Sequence, residues 1–263
     1  MDDIITGKWA LVTGTSSGLG VDFARELAKH GMNIVLAARR DSLLRKVSKE
    51  LIKNYGINTE IFSIDLSEDK APLKLYEQIR EQGIEIEVLV NNAGYGIYGM
   101  FTNIDCETEL NMLKLDILAL THLTKLYVKN MVERGRGYIL QVASIGAYQP
   151  SPTYATYSAA KSYVLYFGEA LNYELQNTGV SCTVVSPGIT DTEFLKVAGQ
   201  TPSLYQRLMM MESTAVAQIG VKAMLKRKMS VVPGLMNKLS IYSVKLLPSR
   251  LQAALAYATM TTG

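Results

Sequence analysis

Tyr157 and Lys161 are spaced as an acid–base pair would be on one face of a helix. The two residues are four positions apart, and residues at that spacing on a helix are neighbours. A tyrosine ionises only near about pH 10 in water, so it is a poor proton-transfer group at neutral pH. The charge of Lys161 would stabilise the phenolate and lower the pKa of Tyr157. Because a packed tyrosine and a solvated lysine can share this spacing by chance, the other motifs decide whether the pair is chemical.

Three glycines follow the first predicted strand and mark a strand-to-helix turn. Gly14 permits a tight turn, while Gly18 and Gly20 allow the backbone and the next helix to approach a ligand closely. The N-terminus of that helix favours the negative charge of a pyrophosphate. A turn without a ligand is the alternative. We predict that the whole turn binds a dinucleotide through Gly14, Thr15, Ser16, Ser17, Gly18, Leu19 and Gly20.

Two arginines stand at the end of the second predicted strand. In a βαβ fold that binds NAD, an acidic residue at this position binds the ribose 2′-hydroxyl. The sequence there is Ala37-Ala38-Arg39-Arg40. With no carboxylate to repel it, a 2′-phosphate could bind the guanidinium of Arg39, with Arg40 as a second donor. Both arginines could instead solvate a loop, an alternative that suits Arg40 better. NADP(H) is therefore the predicted cofactor, and NAD(H) is the alternative.

Short β-branched segments alternate with helix-length segments along the chain, which is typical of βαβ units and a mostly parallel sheet. The predicted strands are Trp9 to Val12, Asn33 to Ala37, Glu60 to Ile64, Val88 to Val90, Tyr138 to Val142, Ser181 to Val185 and Met229 to Val232. The predicted helices are Gly18 to Lys29, Ser42 to Asn54, Ala71 to Gln82, Glu107 to Glu133, Tyr154 to Asn177 and Tyr205 to Lys226. The pattern predicts an α/β chain: one Rossmann-fold domain over residues 1–263, with a doubly wound seven-stranded, mostly parallel sheet and helices on both faces.

The composition fits one sizeable core and excludes several function classes. The chain has 263 residues, 48% of them hydrophobic, and a net charge of +3 without a long basic run, so a nucleic-acid partner is not expected. Cys106 and Cys182 are too few for a disulfide framework or a zinc site, which suits a reducing cytoplasm. The acidic N-terminus and the lack of a long apolar run predict no signal peptide and no membrane span. His30 and His122 have no partner pattern, and no metal is predicted.

Together these motifs resemble the short-chain dehydrogenase/reductase family. The spacing Gly-x-x-x-Gly-x-Gly is followed in order by Asn91-Asn92-Ala93-Gly94, Ser144, the Tyr157 and Lys161 pair, and Pro187-Gly188-Ile189-Thr190-Asp191-Thr192. The resemblance covers nearly the whole chain. It implies an NADP(H)-dependent oxidoreductase that transfers a hydride between nicotinamide C4 and a ketone, aldehyde or secondary alcohol, with Tyr157 as general acid and base.

The resemblance also implies roles for other residues. Lys161 would hydrogen-bond the nicotinamide ribose, and Ser144 would donate to the reacting carbonyl, where a placed donor contributes a few kcal/mol. Asp65 and Leu66, after the third strand, would contact the adenine. The remaining residues implied in cofactor binding are Asn92, Ala93, Gly94, Pro187, Gly188, Ile189, Thr190 and Thr192.

Asp116 departs from the family pattern, because it stands where family members usually carry an asparagine that holds a water in a proton relay to the lysine. An ionised aspartate accepts hydrogen bonds but cannot donate them. Its charge would favour a protonated Lys161 and oppose the Tyr157 phenolate. We predict a catalytic role for Asp116 and an activity that is retained but altered.

The residues predicted to shape the substrate pocket are apolar or aromatic, which favours an apolar substrate. They are Tyr95, Ile97, Tyr98, Ile145, Tyr148, Tyr154, Phe194 and the stretch from Leu208 to Met211. Residues 190–228 are predicted to form a substrate lid, since the methionines follow Thr201-Pro202, where family members carry a mobile lid; core packing is the alternative.

Residues 235–260 form an apolar C-terminal extension that carries Lys238, Lys245 and Arg250. Such a segment can pack in a homodimer or homotetramer, cover an apolar pocket, or lie on an anionic membrane, and subunit packing is the default expectation. Together with Asp116, the extension motivates a second hypothesis: a catalytically weak NADPH-binding protein that regulates a partner or a membrane contact. An isomerase or dehydratase is disfavoured because the extra C-terminal substrate domain of those relatives is not seen.

Overall fold

Strands and helices alternate along the chain. The structure, a computed structural model, describes residues 5–201 and 204–261, without the side chains of Leu204, Tyr205 and Leu208. Within those residues the strands are β1 (Trp9–Thr13), β2 (Asn33–Ala38), β3 (Thr59–Ser63), β4 (Ile86–Asn91), β5 (Gly137–Val142), β6 (Val180–Val185), β7 (Thr190–Asp191), β8 (Met211–Glu212) and β9 (Ser230–Val231). The α-helices are α1 (Gly18–Lys29), α2 (Asp41–Tyr55), α3 (Ala71–Glu81), α4 (Cys106–Leu113), α5 (Leu120–Glu133), α6 (Ala155–Glu174), α7 (Phe194–Val197), α8 (Leu204–Met209), α9 (Ser213–Leu225), α10 (Leu235–Lys245) and α11 (Ser249–Thr261).

Seven of the strands form a parallel sheet in the order β3-β2-β1-β4-β5-β6-β9. The predicted fold class and the seven predicted strands are confirmed. The chain builds outward from β1 in one direction and from β4 in the other. In a doubly wound sheet, the crevice at this reversal, beyond the carboxyl ends of the strands, is where ligands bind.

The hydrophobic core lies on both faces of the sheet. Successive side chains of β1 point to opposite faces and so belong to two different core clusters. Ala10 and Val12 pack with residues of α1, α2 and α9, whereas Leu11 packs with residues of α3 and α5 on the other face. Strands buried on both faces need apolar residues at nearly every position, which explains the continuous β-branched runs.

The long helix predicted from Glu107 to Glu133 is interrupted by a π-helical turn at Lys114–Ala119, between α4 and α5. A π-turn accommodates one extra residue and often marks a functional position. It carries Asp116, whose side chain is fully buried. Helix propensity is adequate throughout this segment, so the interruption comes from packing.

The prediction of one helix from Tyr205 to Lys226 is wrong. Helix α8 ends at Met209, and β8 then pairs in parallel with β7 before α9 begins at Ser213. The Met211 amide donates to the Ile189 carbonyl over 2.9 Å, so pairing with the segment after β6 replaces helical hydrogen bonds there. Pro202 of the predicted lid lies outside the described residues. Among the helices that are described, none is long and apolar enough to span a bilayer.

Candidate active site

The glycine turn is held by the end of the neighbouring strand. Gly14 has a φ of +74°, and a Cβ atom there would lie 2.7 Å from Asn92 Nδ2, so glycine is required on both counts. Asn92 Nδ2 donates to the Thr13 carbonyl over 2.9 Å. The Thr13 hydroxyl oxygen accepts from the amides of Asn92 and Ala93 over 3.0 and 2.9 Å. Thr13 was not among the predicted site residues, although its place at the end of β1, directly before Gly14, is a signal.

The start of α1 is suited to a phosphate group. Its N-cap residue is Ser17, whose side chain makes no capping hydrogen bond to the helix. The first amides of a helix need acceptors, and together with the helix dipole they favour an anion. The serine hydroxyl instead faces α2, where Arg40 Nη2 donates to it over 2.8 Å.

One cavity of about 510 Å³ joins the glycine turn to the Tyr157 hydroxyl. This volume falls within the roughly 300–1,000 Å³ of ligand and cofactor sites. The predicted residues that line the cavity are Gly14, Ser16, Ser17, Gly18, Leu19, Gly20, Arg39, Arg40, Asp65, Leu66, Asn92, Ala93, Gly94, Ser144, Tyr157, Lys161, Pro187, Gly188, Ile189, Thr190 and Thr192. The residues present therefore fit a dinucleotide.

Two predicted site residues do not line this cavity within the part of the chain that the structure describes. Thr15 is fully buried, and its hydroxyl has no hydrogen-bond partner among the described residues, so its side chain lies in the interior and its role in cofactor binding stays a prediction. Asp116 is also fully buried, and it lies behind the cavity wall, where it pairs with Lys161.

Both arginines at the end of β2 lie at one end of the cavity, but their surroundings differ. Arg40 donates to the Ser16 hydroxyl over 3.0 Å and pairs with Glu193 at 3.2 Å. A hydrogen bond from Ser17 and the charge of Arg40 hold the pKa of the Glu193 carboxyl below its usual range. Arg39 extends outward, its side chain 67% exposed, with Nη1 3.5 Å from Asp65 Oδ2. Arg39 is thus the less engaged of the two.

The Asp65 carboxylate is held by hydrogen bonds from its own loop. Its Oδ1 accepts from the Ser67 amide over 3.0 Å and from the Ser67 hydroxyl over 2.7 Å. Burial raises the pKa of the Asp65 carboxyl, but these hydrogen bonds and the Arg39 charge outweigh it, so the pKa lies below its ordinary value. Asp65 is therefore an ionised acceptor in the cavity wall, at the same end as Arg39.

Ser144 and Tyr157 meet at the other end of the cavity. Ser144 precedes a short 3₁₀ turn, Ile145–Tyr148, and its Oγ accepts from the Gly146 amide over 3.1 Å. Ser144 also lies near enough to the Tyr157 hydroxyl to lower its pKa. Phe194 and Tyr154 pack on the Tyr157 ring, with ring centroids 5.4 and 5.7 Å away. A carbonyl group placed here would meet two hydroxyl groups.

A buried ion pair lies beneath Tyr157. Lys161 Nζ is 3.0 Å from Asp116 Oδ2, and both side chains are almost entirely shielded from solvent. Asp116 Oδ1 accepts from the Tyr95 amide over 3.1 Å, and Lys161 also donates to the Val142 carbonyl over 3.3 Å. Burial raises the pKa of the Asp116 carboxyl, and the Lys161 charge opposes that rise.

This pair changes the electrostatics predicted for Tyr157. Burial raises the pKa of the Tyr157 hydroxyl and the Asp116 charge raises it further, while the nearby Ser144 hydroxyl opposes both. The expected lowering by Lys161 is therefore corrected. The ammonium group lies 5.6 Å from the centre of the tyrosine ring, but its charge is balanced by Asp116.

The C-terminal helices cover the end of the cavity near Tyr154. The sequence alone left three roles open for this extension, namely subunit packing, covering an apolar pocket and contact with a membrane. Tyr154 Oη donates to Gln200 Oε1 over 2.8 Å, and Gln200 Nε2 donates to the Met260 carbonyl over 3.1 Å. Lining residues that were not predicted include Gln149, Ser151, Gln200, Gln206, Asn237, Ser240, Val244, Leu255, Ala256, Thr259 and Met260.

Five predicted pocket residues lie elsewhere, as far as the described residues show: Ile97, Tyr98, Tyr148, Met210 and Met211 are not in the cavity wall. Tyr98 packs on Tyr154 from outside, with ring centroids 5.5 Å apart, and Tyr148 lies beneath Lys245. Tyr95, Ile145, Tyr154, Phe194 and Met209 do line it, and the Leu208 side chain is outside the description.

Comparison with known proteins gives concordant matches. A family model described as short chain dehydrogenase matches residues 8–203. The chain is 32% identical to the very-long-chain 3-oxoacyl-CoA reductase of Anas platyrhynchos, over 82% of this chain and 70% of that protein. It is 33% identical to the 17-beta-hydroxysteroid dehydrogenase type 3 of Rattus norvegicus, over 72% of this chain and 62% of that protein. The match thus spans about two thirds of these relatives.

A solved structure adds a ligand-bound comparison. The short-chain dehydrogenase from Sphingobium yanoikuyae in complex with NADPH superposes with a TM-score of 0.80 at 27% identity. The match covers 91% of this chain and 94% of that one.

Proposed function

The chain belongs to the short-chain dehydrogenase/reductase family of oxidoreductases, and from this premise we propose that it is an NADP(H)-dependent reductase of bulky apolar ketones. The observation that carries the proposal is the meeting of the Ser144 and Tyr157 hydroxyls at the closed end of the cavity that begins at the glycine turn. The reverse reaction, oxidation of a secondary alcohol, uses the same groups.

Each side chain has a distinct task in this proposal. The glycine turn and the start of α1 would hold the pyrophosphate, and Arg39 with Arg40 the 2′-phosphate. When bound, the reduced nicotinamide supplies a hydride to the carbonyl carbon. Tyr157 donates its proton to the carbonyl oxygen, and Ser144 donates a hydrogen bond where negative charge develops. Asp116 fixes Lys161 below the tyrosine ring.

The raised pKa of Tyr157 supports reduction as the favoured direction. A tyrosine with a high pKa is protonated at neutral pH, which is the form that reduction requires, although the higher pKa also makes it a weaker acid. Oxidation requires the phenolate, whose population grows as the pH rises. We therefore expect reduction to be nearly independent of pH around neutrality and oxidation to accelerate toward alkaline pH.

The proposed substrate class rests on the cavity and on the relatives together. Ile145, Tyr154, Phe194, Val244 and Leu255 contribute apolar side chains to the cavity wall, and Tyr154 and Phe194 pack on Tyr157. The relatives are named for a 3-oxoacyl-CoA and for a hydroxysteroid, two different molecules that share a carbonyl or hydroxyl group on a large apolar body. We propose that this chain acts on a carbonyl of that general type.

The test is NADPH oxidation by purified protein with a long-chain 3-oxoacyl thioester, a 17-ketosteroid and a small ketone. The proposal expects turnover of at least one bulky substrate, with a higher kcat/KM than for the small ketone. NADPH binding without turnover of any of them would contradict it. That outcome would favour a catalytically weak NADPH-binding regulator, a second hypothesis motivated by the buried Asp116 and by the apolar C-terminal extension.

Cofactor preference is tested by Arg39→Ala. Because a charge-assisted hydrogen bond contributes about 1.5–3 kcal/mol, the Kd for NADPH should rise by roughly 10–100-fold, with little change for NADH. The measurement is titration of each cofactor by nicotinamide fluorescence. Arg45→Ala is the matched control, since Arg45 is as exposed as Arg39 but pairs with Asp41 away from the cavity. Equal weakening of both cofactors would contradict a 2′-phosphate contact.

Asp116→Asn tests the electrostatic role of the buried carboxylate. Removing its charge should lower the pKa of Tyr157, so the pH profile of alcohol oxidation should shift toward lower pH. Oxidation at neutral pH should then become several-fold to about tenfold faster, since a neighbouring charge moves a pKa by about one or more. Glu109→Gln is the control, because Glu109 is similarly buried but bonds Thr156 outside the cavity. An unchanged profile, or a large loss of rate at every pH, would contradict this role.

Assembly and location are proposed on general grounds. A homodimer or homotetramer in the cytoplasm, with peripheral membrane contact as an addition, remains the expectation for this chain. Analytical ultracentrifugation determines the assembly, and a monomer at micromolar concentration would contradict it.

A further inference from the structure

Helix α10 presents its apolar side to solvent. The exposed residues Leu235, Leu239, Tyr242 and Leu246 recur at intervals of four, three and four positions, which places them in one stripe along the helix. The opposite side buries Asn237, whose Nδ2 donates to the Pro233 carbonyl over 2.8 Å. Ile241 is also buried on that side, so α10 is apolar on both its buried and its exposed sides, unlike a helix packed for water.

Helix α11 extends the same apolar surface. Leu251, Leu255 and Tyr257 are each about 45% exposed, while Ala256 is buried against the cavity. We call the combined set the C-terminal apolar face; its members are Leu235, Met236, Leu239, Tyr242, Leu246, Leu251, Leu255 and Tyr257. An exposed cluster of this kind marks a binding surface in soluble proteins.

The two helices that form this face carry charge of one sign. All 24 acidic residues of the chain precede Ser213, and the segment from Ser213 to the end carries seven lysines and arginines. Three of these, Lys238, Lys245 and Arg250, lie on α10 and α11 and are exposed. Helices α10 and α11 thus combine exposed leucines and tyrosines with flanking cations and contain no carboxylate. This composition is typical of a helix that lies in the headgroup region of an anionic bilayer.

From this charge complementarity we propose that the C-terminal apolar face docks on an anionic lipid surface. The apolar stripe would enter the headgroup boundary, and Lys238 and Arg250 would bind lipid phosphates. A second copy of the chain fits less well, because a two-fold interface would set the same basic face against itself.

The face is continuous with the substrate end of the cavity. Ser240 and Val244 of α10 and Leu255, Ala256 and Thr259 of α11 belong to the cavity wall. Leu255 is shared by the wall and the exposed face. Docking would therefore place this wall of the cavity beside the lipid phase, in which bulky apolar compounds concentrate.

The experiment is flotation of the full chain with two kinds of vesicle, phosphatidylcholine alone and phosphatidylcholine mixed with phosphatidylglycerol. We expect binding to the mixed vesicles, weaker binding to phosphatidylcholine alone, and release as salt is raised. Lys238→Gln and Arg250→Gln should each weaken binding by about fivefold. Lys46→Gln and Lys49→Gln, two exposed lysines on α2, are the controls and should have no effect.

The apolar contribution is tested by the double variant Leu239→Gln/Tyr242→Gln. Both residues are more than half exposed, so the fold should survive, and binding should fall on the order of tenfold or more. Tyr166→Gln/Tyr173→Gln is the control, since these tyrosines of α6 are equally exposed. No binding to mixed vesicles, equal binding to both kinds, or variants that behave like their controls would overturn the proposal.

Sedimentation of the same variants tests whether a second copy of the chain, rather than lipid, covers the C-terminal apolar face. If Leu239→Gln/Tyr242→Gln converts a dimer into monomers, the face is a subunit interface and the lipid proposal fails. An unchanged assembly supports it. Vesicle binding needs neither cofactor nor turnover, so its result is independent of the proposed reductase activity.

Discussion

Tyr157→Phe should reduce carbonyl turnover by about 10²–10⁴-fold, because it removes the only proton that the side chain can transfer while keeping the aromatic ring. The ring contacts with Tyr154 and Phe194 are retained, so the cavity should keep its shape. The loss is therefore expected in kcat, with NADPH affinity changed little. Steady-state kinetics and a fluorescence titration on the same preparation measure the two quantities.

The control for this variant lies on the same helix. Tyr166 also belongs to α6 but is 64% exposed and outside the cavity wall, so Tyr166→Phe should keep wild-type kinetics. Full activity in Tyr157→Phe would contradict the assignment of the acid and would leave Ser144 as the remaining hydroxyl at the site. Loss of NADPH binding together with turnover would indicate a collapsed cavity.

Lys161→Met is expected to destabilise the protein as well as inactivate it. Removing one partner of a buried ion pair costs about 3–5 kcal/mol, because the other charge remains buried without compensation. Here that charge is Asp116, which has no exposed surface. The measurement is the free energy of unfolding from urea denaturation. Lys29→Met is the control, since Lys29 pairs with Glu26 at a similar distance but near the surface, where such pairs contribute about 0–1 kcal/mol.

The destabilisation should depend on pH in a defined direction. Burial raises the pKa of Asp116 above its unfolded value, so without Lys161 the folded state holds a proton on this carboxyl that the unfolded state releases. Stability is then retained below the unfolded pKa and lost as the pH rises through the folded pKa. The double variant Lys161→Met/Asp116→Asn should regain most of the stability but none of the activity. A pH-independent loss would contradict the buried-charge explanation.

Local sequence was sufficient for the strands and the cofactor end. The glycine turn and the seven strands carry local signals, because the glycine spacing and the β-branched runs are visible within a few residues, even though the contact of Gly14 with Asn92 is long-range. The lining of the cavity by Gly14, Asn92 and Gly188 follows from the topology, since all three stand at the carboxyl edge of the sheet.

The parts that sequence missed depend on distant contacts. Gln200 closes the substrate end by joining Tyr154 to Met260, and no spacing rule links those positions. The break at Met210 arises from pairing with the segment after β6, and the π-turn at Asp116 from packing against Lys161. The rise in the pKa of Tyr157 is of the same kind, because it depends on how deeply Tyr157 itself is buried and on the charge of Asp116, which is distant in sequence.

Glu193 and Phe194 are adjacent in sequence yet serve opposite ends of the cavity. Glu193 pairs with Arg40 beside the phosphate-binding turn, and Phe194 packs on the ring of Tyr157. A dinucleotide phosphate that drew Arg40 away from Glu193 would free the segment that carries Phe194, which packs on Tyr157. The two ligands then share a coupling free energy, and thermodynamic reciprocity makes it mutual: the factor by which the cofactor changes affinity for the carbonyl compound equals the factor by which that compound changes affinity for the cofactor.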